Sequence, residues 1–300
     1  MIPFKSPAKI NVGLFVFPKR NDGYHPLDTT FFGINLFDTL HIEKSNSFGL
    51  SCSSSKIPTD HKNIIHKTWS LFSNQVNNAT PLKIHLEKDL PSEAGIGGAS
   101  GNAAITLWLL NEIHGRPFNI EQLESMALSI GADVPFFLQN EPCFASGIGE
   151  IFSPIKDHQT LHLVLIKPTF SIKTGPAFHF LDSVTRNTSN IPHQKFSSIL
   201  RTGNLSSLTQ LVSNDFELIP GESEEQISQI KHKLYQNNAS YASLSGSGSC
   251  IYGLFESKTK AKLAFDVLNK SYETYLCETL LNHSPLALNK SSLAQIISSL

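Results

Sequence analysis

Between residues 8 and 17 the chain alternates: Ala8, Ile10, Val12, Leu14 and Val16 share one face of an extended segment, and Lys9, Asn11 and Gly13 share the other. A period of two predicts a strand. The turn-rich KRNDGYHP follows, then two further strand candidates at 29–36 and 39–44. The serine-rich stretch 45–58 reads as a surface loop, 63–72 as a helix, and 82–87 as another alternating strand. That strand feeds PSEAGIGGASG and then the most apolar helix of the chain. Ser100 is the expected N-cap of this helix, and Gly115 followed by Pro117 is expected to end it. Asn119 and Gln122 have the spacing of a capping box for a second helix, which Gly131 stops ahead of ADVPFF.

Past Phe152 the order changes. A strongly apolar strand is expected at 161–166, a loop at 183–194, and a helix capped by Ser223 and Gln226 that reaches about residue 237. LSGSGSC, a strand at 251–255, a helix at 260–269 and a strand near 274–279 complete the chain. These elements suggest a small α+β sandwich as a second domain, so the expected division is 1–155 and 156–300.

The composition narrows the class. At 300 residues, 40% apolar and 16% charged, the chain is long enough for a substantial core and typical of a soluble protein. A net charge of -1 with interspersed signs argues against nucleic acid or a membrane as partner. No apolar run approaches the ~20 residues of a membrane span, and the N-terminal residues lack the pattern of a signal or transit peptide. Four scattered cysteines without a CxxC pair read as reduced thiols, which leads to an expected cytoplasmic location. His158 and His162 form an isolated pair, and no metal-ligating set is expected.

Four glycines, Gly95, Gly97, Gly98 and Gly101, precede the apolar helix. Strand, glycine loop and helix start bring free N–H groups and the positive end of the helix dipole to one place, where a phosphate can approach the main chain. Neither GxxxxGK[ST] nor GxGxxG is present, and HRD and DFG are both missing. By spacing alone, a tight turn with glycines for close packing explains the loop as well. Lys9 and Asn11 suit an exposed strand face, and LSGSGSC a hairpin turn.

Taken in order, the three segments resemble the motifs of the GHMP kinases: an N-terminal PAK strand, a P-x-x-x-G-(L/I)-G loop before a helix, and a late glycine-rich loop. NDGYH at 21–25 and GADVPFF at 131–137 resemble the branch of that family formed by the 4-diphosphocytidyl-2-C-methyl-D-erythritol kinases. The likeness is strong over 6–150 and looser in the second domain, through NDFE at 214–217 and LSGSGSC. It implies an α+β, two-domain GHMP kinase fold, with a ribosomal-protein-like α/β N-terminal domain and a ferredoxin-like α+β C-terminal sandwich. It also implies transfer of a phosphoryl group from ATP, with Mg²⁺ carried on the ATP phosphates, to the 2-hydroxyl of the cytidine diphosphate methylerythritol substrate.

On this resemblance Asp133 is the base and Lys9 orients the hydroxyl and stabilises charge, although Asp133 also suits a helix N-cap ahead of Pro135. ATP falls to Asn63, Pro91, Gly95, Ile96, Gly97, Gly98, Ala99, Ser100 and Gly101. The second substrate falls to Asn11, Tyr24, His25, Asp133, Thr174 and Phe178. Asn63 suits a helix N-cap equally well, and Phe178 suits core packing. The partner is then a small molecule, with no nucleic acid and no membrane, and the chain a monomer or weak homodimer. The family's GGGSS is replaced by GGASG at 97–101, which puts a phosphate or metal role for the second serine in question; Pro18 and Gly13 also depart from the pattern. A kinase for mevalonate or homoserine needs an anion clamp and lacks NDGYH, and a non-catalytic nucleotide-binding regulator leaves Lys9 with Asp133 unexplained.

Overall fold

The computed structural model describes residues 1–77, 79–139, 141–184, 189–220 and 222–298. The first sheet is organised by one antiparallel pair, β1 (Ile2–Val16) and β2 (Leu27–Lys44). β4 (Leu82–Glu87) pairs with the second half of β2 and β5 (Cys143–Ser146) with its first half. β3 (Gly49–Cys52) lies parallel outside β4, and β6 (Ile151–Pro154) antiparallel outside β5. Two expectations are corrected here. The segments 29–36 and 39–44 form a single strand: Phe37 and Asp38 pair with Pro7 and Ser6, and the register shift between Pro7 and Ala8 absorbs Asn35 and Leu36 as an irregularity within the strand. The serine-rich 45–58 is also not all loop, since its middle is β3.

Three helices cover this sheet: α1 (Ile64–Ser73), α2 (Gly98–Ile113) and α3 (Ile120–Ile130). The capping box at Asn119 and Gln122 is present, with both reciprocal bonds. α2 is the central element, with twelve of its sixteen residues buried, which is why it lacks a polar face. Its N-cap is Gly97, in the left-handed region at φ 70°, and Ser100 instead sits in the first turn. A serine hydroxyl is not required there, because the left-handed glycine turns the chain into the helix directly.

The second sheet has the order β10 (Glu273–Glu278), β7 (His162–Lys167), β9 (Ile251–Phe255), β8 (Tyr241–Leu244), all antiparallel. With α7 (Glu222–Gln236) between β7 and β8, and α8 (Lys258–Leu268) between β9 and β10, this is the expected ferredoxin-like sandwich. Ser223 falls inside α7, and the cap of α8 is Ser257. The loop expected at 183–194 joins α4 (Thr174–Ser183) to α5 (His193–Thr202), which the short α6 (Leu208–Leu211) follows; the loop's residues 185–188 lie outside the described residues. His162, isolated in sequence, meets Glu278 across the β7–β10 pair at 3.3 Å.

One core lies between the first sheet and its helices, and another between the second sheet and α4, α7 and α8. A third joins the two sheets: Ala8, Ile10 and Val12 of β1 pack with Leu163, Leu165 and Tyr252. Each fully buried side chain of this kind adds about 1.5–3 kcal/mol of apolar burial, so the sheets are held as one body. The chain then returns. Leu280 donates its N–H to Gly33 O at 2.8 Å, and α9 (Pro285–Ser298) sends Leu293 and Ile296 into the first core.

His283 stands in that returning segment, fully buried, with its ring 4.5 Å from Phe136 and Nε2 3.4 Å from the Phe136 carbonyl. Burial pulls its pKa from 6.5 down to about 4. Between those values the unfolded imidazole binds a proton that the folded one refuses, so stability falls as pH drops through the window, by about 1.4 kcal/mol per pH unit for one group. Urea unfolding at pH 7, 6 and 5 should show this slope in the native protein, and His283→Gln should flatten it.

Candidate active site

Three clefts adjoin one another, two of them at the start of α2. The largest, about 600 Å³, is lined by Lys9, Asn11, Thr29, Asp133 and Ser247 among others. A second of about 420 Å³ runs past Asn63, Lys88 and Pro91 and shares Glu93, Gly95, Gly97 and Ser100 with the first. A third of about 320 Å³ holds Tyr24 and His25 and shares Leu27, Ala132, Ile148 and Phe178 with the first.

β1 delivers the first cleft's charge. Its period of two puts Lys9 and Asn11 on the same side, and both are buried. Lys9 Nζ donates to Asn11 Oδ1 at 2.5 Å, lies 3.3 Å from Asp133 Oδ2 and sits 5.0 Å from the centre of the Phe31 ring. Asn11 Nδ2 donates to Thr29 Oγ1 at 2.9 Å, and that hydroxyl donates to Gly13 O at 2.6 Å. The chain of donors fixes the amide, with its oxygen toward the ammonium. Gly13 takes φ 81°, and a Cβ there would stand 2.8 Å from Val212 Cβ, which explains its departure from the family pattern. Asp133 caps nothing: the short 3₁₀ helix Pro135–Leu138 has Val134 at its N-cap. Its side chain is 38% exposed, with lone pairs open to the cleft.

The glycine loop is held by its carbonyls. Ala94 O accepts from Cys250 N at 3.0 Å, Gly95 O from Ser245 Oγ at 3.0 Å, and Ile96 O from Lys9 N at 2.9 Å. The N–H groups of residues 95–100 have no acceptor among the described residues. Carbonyls inward and N–H groups free, at the N-terminal end of a buried helix, form a cradle for an anion. Gly95, at φ 72°, is required twice, because a Cβ would overlap the Ser245 carbonyl oxygen.

Asp38 fixes where the loop begins. It is fully buried, and its Oδ1 accepts from Asp89 N (3.0 Å), Leu90 N (2.8 Å) and Lys88 Nζ (3.1 Å), while Oδ2 accepts from Asn102 Nδ2 at 2.9 Å. One carboxylate thus ties β2, the entrance of the loop and the first turn of α2.

Models of the GHMP kinases match the chain twice, the N terminal domain at 63–141 and the C terminal domain at 196–274. A 4-diphosphocytidyl-2-C-methyl-D-erythritol kinase of Bacteroides thetaiotaomicron is 39% identical over 272 residues, covering 85% of this chain and 92% of that protein. One of Clostridium perfringens is 30% identical over 92% of this chain and 97% of its own length. The chain belongs to this kinase family. A crystal structure of a 4-(cytidine 5'-diphospho)-2C-methyl-D-erythritol kinase superposes with a TM-score of 0.76 at 26% identity, covering 92% of this chain and 98% of that one. A homoserine kinase from Cytophaga hutchinsonii, at 16% identity and a TM-score of 0.71, shares the fold.

Most residues expected for the site of this family member converge. Asn63, Pro91, Gly95, Ile96, Gly97, Gly98, Ala99 and Ser100 line the second cleft; Asn11, Asp133, Thr174 and Phe178 line the first. Asn63 also caps α1, accepting from Ile65 N at 2.8 Å. Gly101 does not join them: it is buried against β1, where a Cβ would lie 2.6 Å from Pro7 O and 2.9 Å from Ser6 Oγ. Its departure from serine therefore answers to packing, not to a phosphate. Tyr24 is 57% exposed, and the ring stacked on Phe178 is that of His25, at 5.0 Å and 25°. Thr174 Oγ1 meets Ser247 Oγ at 2.9 Å, bridging α4 to the late glycine loop. Sequence reasoning missed Asp38 and Lys88; the visible signal was a carboxylate directly after the apolar Leu36 and Phe37.

Asp38→Ala is expected to cost about 3–5 kcal/mol in urea unfolding, the range for stranding one partner of a buried pair. Asp133→Ala, with its open carboxylate, is expected to stay within about 1 kcal/mol. Equal losses would contradict the division of roles between the two aspartates.

Proposed function

We propose that the chain transfers the terminal phosphoryl group of ATP to the 2-hydroxyl of 4-diphosphocytidyl-2-C-methyl-D-erythritol, a step in the methylerythritol phosphate route to isoprenoid precursors. The observation that carries this is the junction of two clefts at Gly95, Gly97 and Ser100, with Lys9 and Asp133 on the far side of it. The names of the curated relatives support the same substrate.

In this reading the base of ATP lies toward Asn63 and Lys88, and its phosphates run along the N–H groups of 95–100. The acceptor hydroxyl approaches from the first cleft. Asp133 takes its proton as the new oxygen–phosphorus bond forms and the bond to the leaving ADP oxygen breaks. Lys9, bonded to Asn11 and 3.3 Å from Asp133, has a further N–H for the hydroxyl or the transferred group, where charge is greatest. Positioning does most of the work, since the group passes between two oxygens with little covalent help from the protein. Mg²⁺, when bound with ATP, offsets phosphate charge; Glu93 and Ser100 line both clefts and are oxygen donors of the kind it takes. The cytidine end extends into the third cleft, between Tyr24 and the His25–Phe178 stack. The same reading divides the chain into domains 1–155 and 156–300, with α9 packed back onto the first.

Purified protein incubated with ATP, Mg²⁺ and the cytidine substrate should release ADP, with mevalonate and homoserine as inactive controls. Asp133→Asn should lose roughly 10²–10⁴ in kcat, the usual worth of a positioned base. ADP release from either control at the rate of the cytidine substrate would defeat the assignment.

Tyr24→Ala should raise KM for the cytidine substrate about 5- to 150-fold, the range of one lost aromatic stack, and leave KM for ATP nearly unchanged. A rise confined to ATP would put Tyr24 against the wrong ligand.

A further inference from the structure

Asp182, in the last turn of α4, lines none of the three clefts. It stands four residues after Phe178, so the two side chains share one helix face. Both engage His25: Phe178 stacks on the imidazole, and Asp182 Oδ1 lies 2.6 Å from Nε2. The His25 side chain is 8% exposed and lines the third cleft. α4 therefore grips this ring by its face and by one nitrogen.

The grip decides which nitrogen carries the proton. An ionised carboxylate only accepts hydrogen bonds, and the bond from His25 holds the Asp182 carboxyl below the usual carboxylate range, with Lys19 and His179 adding to it. Nε2 must then be the N–H. In a neutral imidazole that leaves Nδ1 as a bare acceptor, and it has no hydrogen-bond partner among the described residues. Cytosine carries an amino group, a donor, where uracil carries a carbonyl oxygen, an acceptor.

We propose that Asp182 is a positioning residue for base selection: it holds His25 in the tautomer whose Nδ1 accepts, so that the third cleft favours an amino-bearing pyrimidine edge over a carbonyl-bearing one. This rests on the assignment of that cleft to the cytidine end under the proposed function. Asp182 lies outside the pattern NDGYH, and its effect passes entirely through His25.

Two measurements at pH 8 test it. Long-range ¹H–¹⁵N correlation spectra of the substrate-free protein should show His25 protonated at Nε2, and Asp182→Ala should shift it toward a mixture of tautomers. Kinetics with the cytidine substrate and its uridine counterpart should show a preference for cytidine in the native protein. Asp182→Ala should cut that preference roughly five- to tenfold, the worth of one hydrogen bond, through KM for the cytidine substrate, with kcat and KM for ATP unchanged. A native His25 protonated at Nδ1 would overturn the proposal. So would an unchanged cytidine-to-uridine ratio in a variant with altered melting temperature, which would make Asp182 a purely structural contact. If the native protein turns over the cytidine substrate and either of these results is found, only the role of Asp182 falls. If the native protein does not phosphorylate that substrate at all, the proposed function falls with it.

Discussion

Two glycine-rich loops touch backbone to backbone, and the arrangement of the site depends on that contact. The loop after β4 and the loop between β8 and β9 approach so closely at Gly95 that a methyl group there would overlap the Ser245 carbonyl. Gly246 is under the same restriction from the other side, since its Cβ would lie 2.9 Å from Gly95 O. Ser245 Oγ and Cys250 N bond the carbonyls of Gly95 and Ala94, and Lys9 N takes the next one. Three successive carbonyls are thereby turned into the protein, by donors on β1 and on the loop between β8 and β9. The N–H groups that follow are left facing the clefts. Close packing and anion binding, which compete as explanations when only the glycines are seen, are one arrangement: the packing is what exposes the donors.

What was legible in the sequence was local. The parity of Lys9 and Asn11, the capping box at Asn119 and Gln122, and the glycines around Gly97 each depend on residues a few positions apart, and each gave the right element. Strand β4 stands where alternation put it, and β9 at the expected residues 251–255. The failures share a cause as well. Asp38 falls in the gap left between the strand candidates 29–36 and 39–44, yet β2 runs through it; its partners Lys88, Leu90 and Asn102 are 50 to 64 residues away. Ser100 was expected to cap α2 because serine is a good cap, but a left-handed Gly97 had already made the turn. The short strand β8 escaped notice because four residues carry little periodicity.

The same distinction runs through the site. Tyr24 and His25 were legible as a pair in a short turn, but which ring would stack was not. That choice belongs to α4, which brings Phe178 to His25 from more than 150 residues away and leaves Tyr24 turned outward. Gly101 was read as a lost hydroxyl beside phosphate, because a motif supplies order along the chain without direction in space. In the fold its missing side chain points at Pro7 O.

Direction also bears on the proposed pairing of an ammonium with a base. A tight, two-pronged pair between Lys9 and Asp133 would occupy the lone pairs that a base must offer to a hydroxyl. The 2.5 Å bond of Lys9 goes instead to the neutral Asn11 carbonyl, while Asp133 stands off at 3.3 Å. Asn11 can play this part because Thr29 and Gly13 hold its other end, so its oxygen cannot turn away. The buried cation is thus steadied by a dipole and by the face of Phe31 at 5.0 Å, and the carboxylate keeps its exposure to the cleft. Replacing Asn11 by a second carboxylate would satisfy Lys9 more strongly in charge, but would bring two anions to the point where an anionic group must be transferred. A neutral amide holds the lysine without adding that repulsion, which is a physical reason for asparagine at this position of β1.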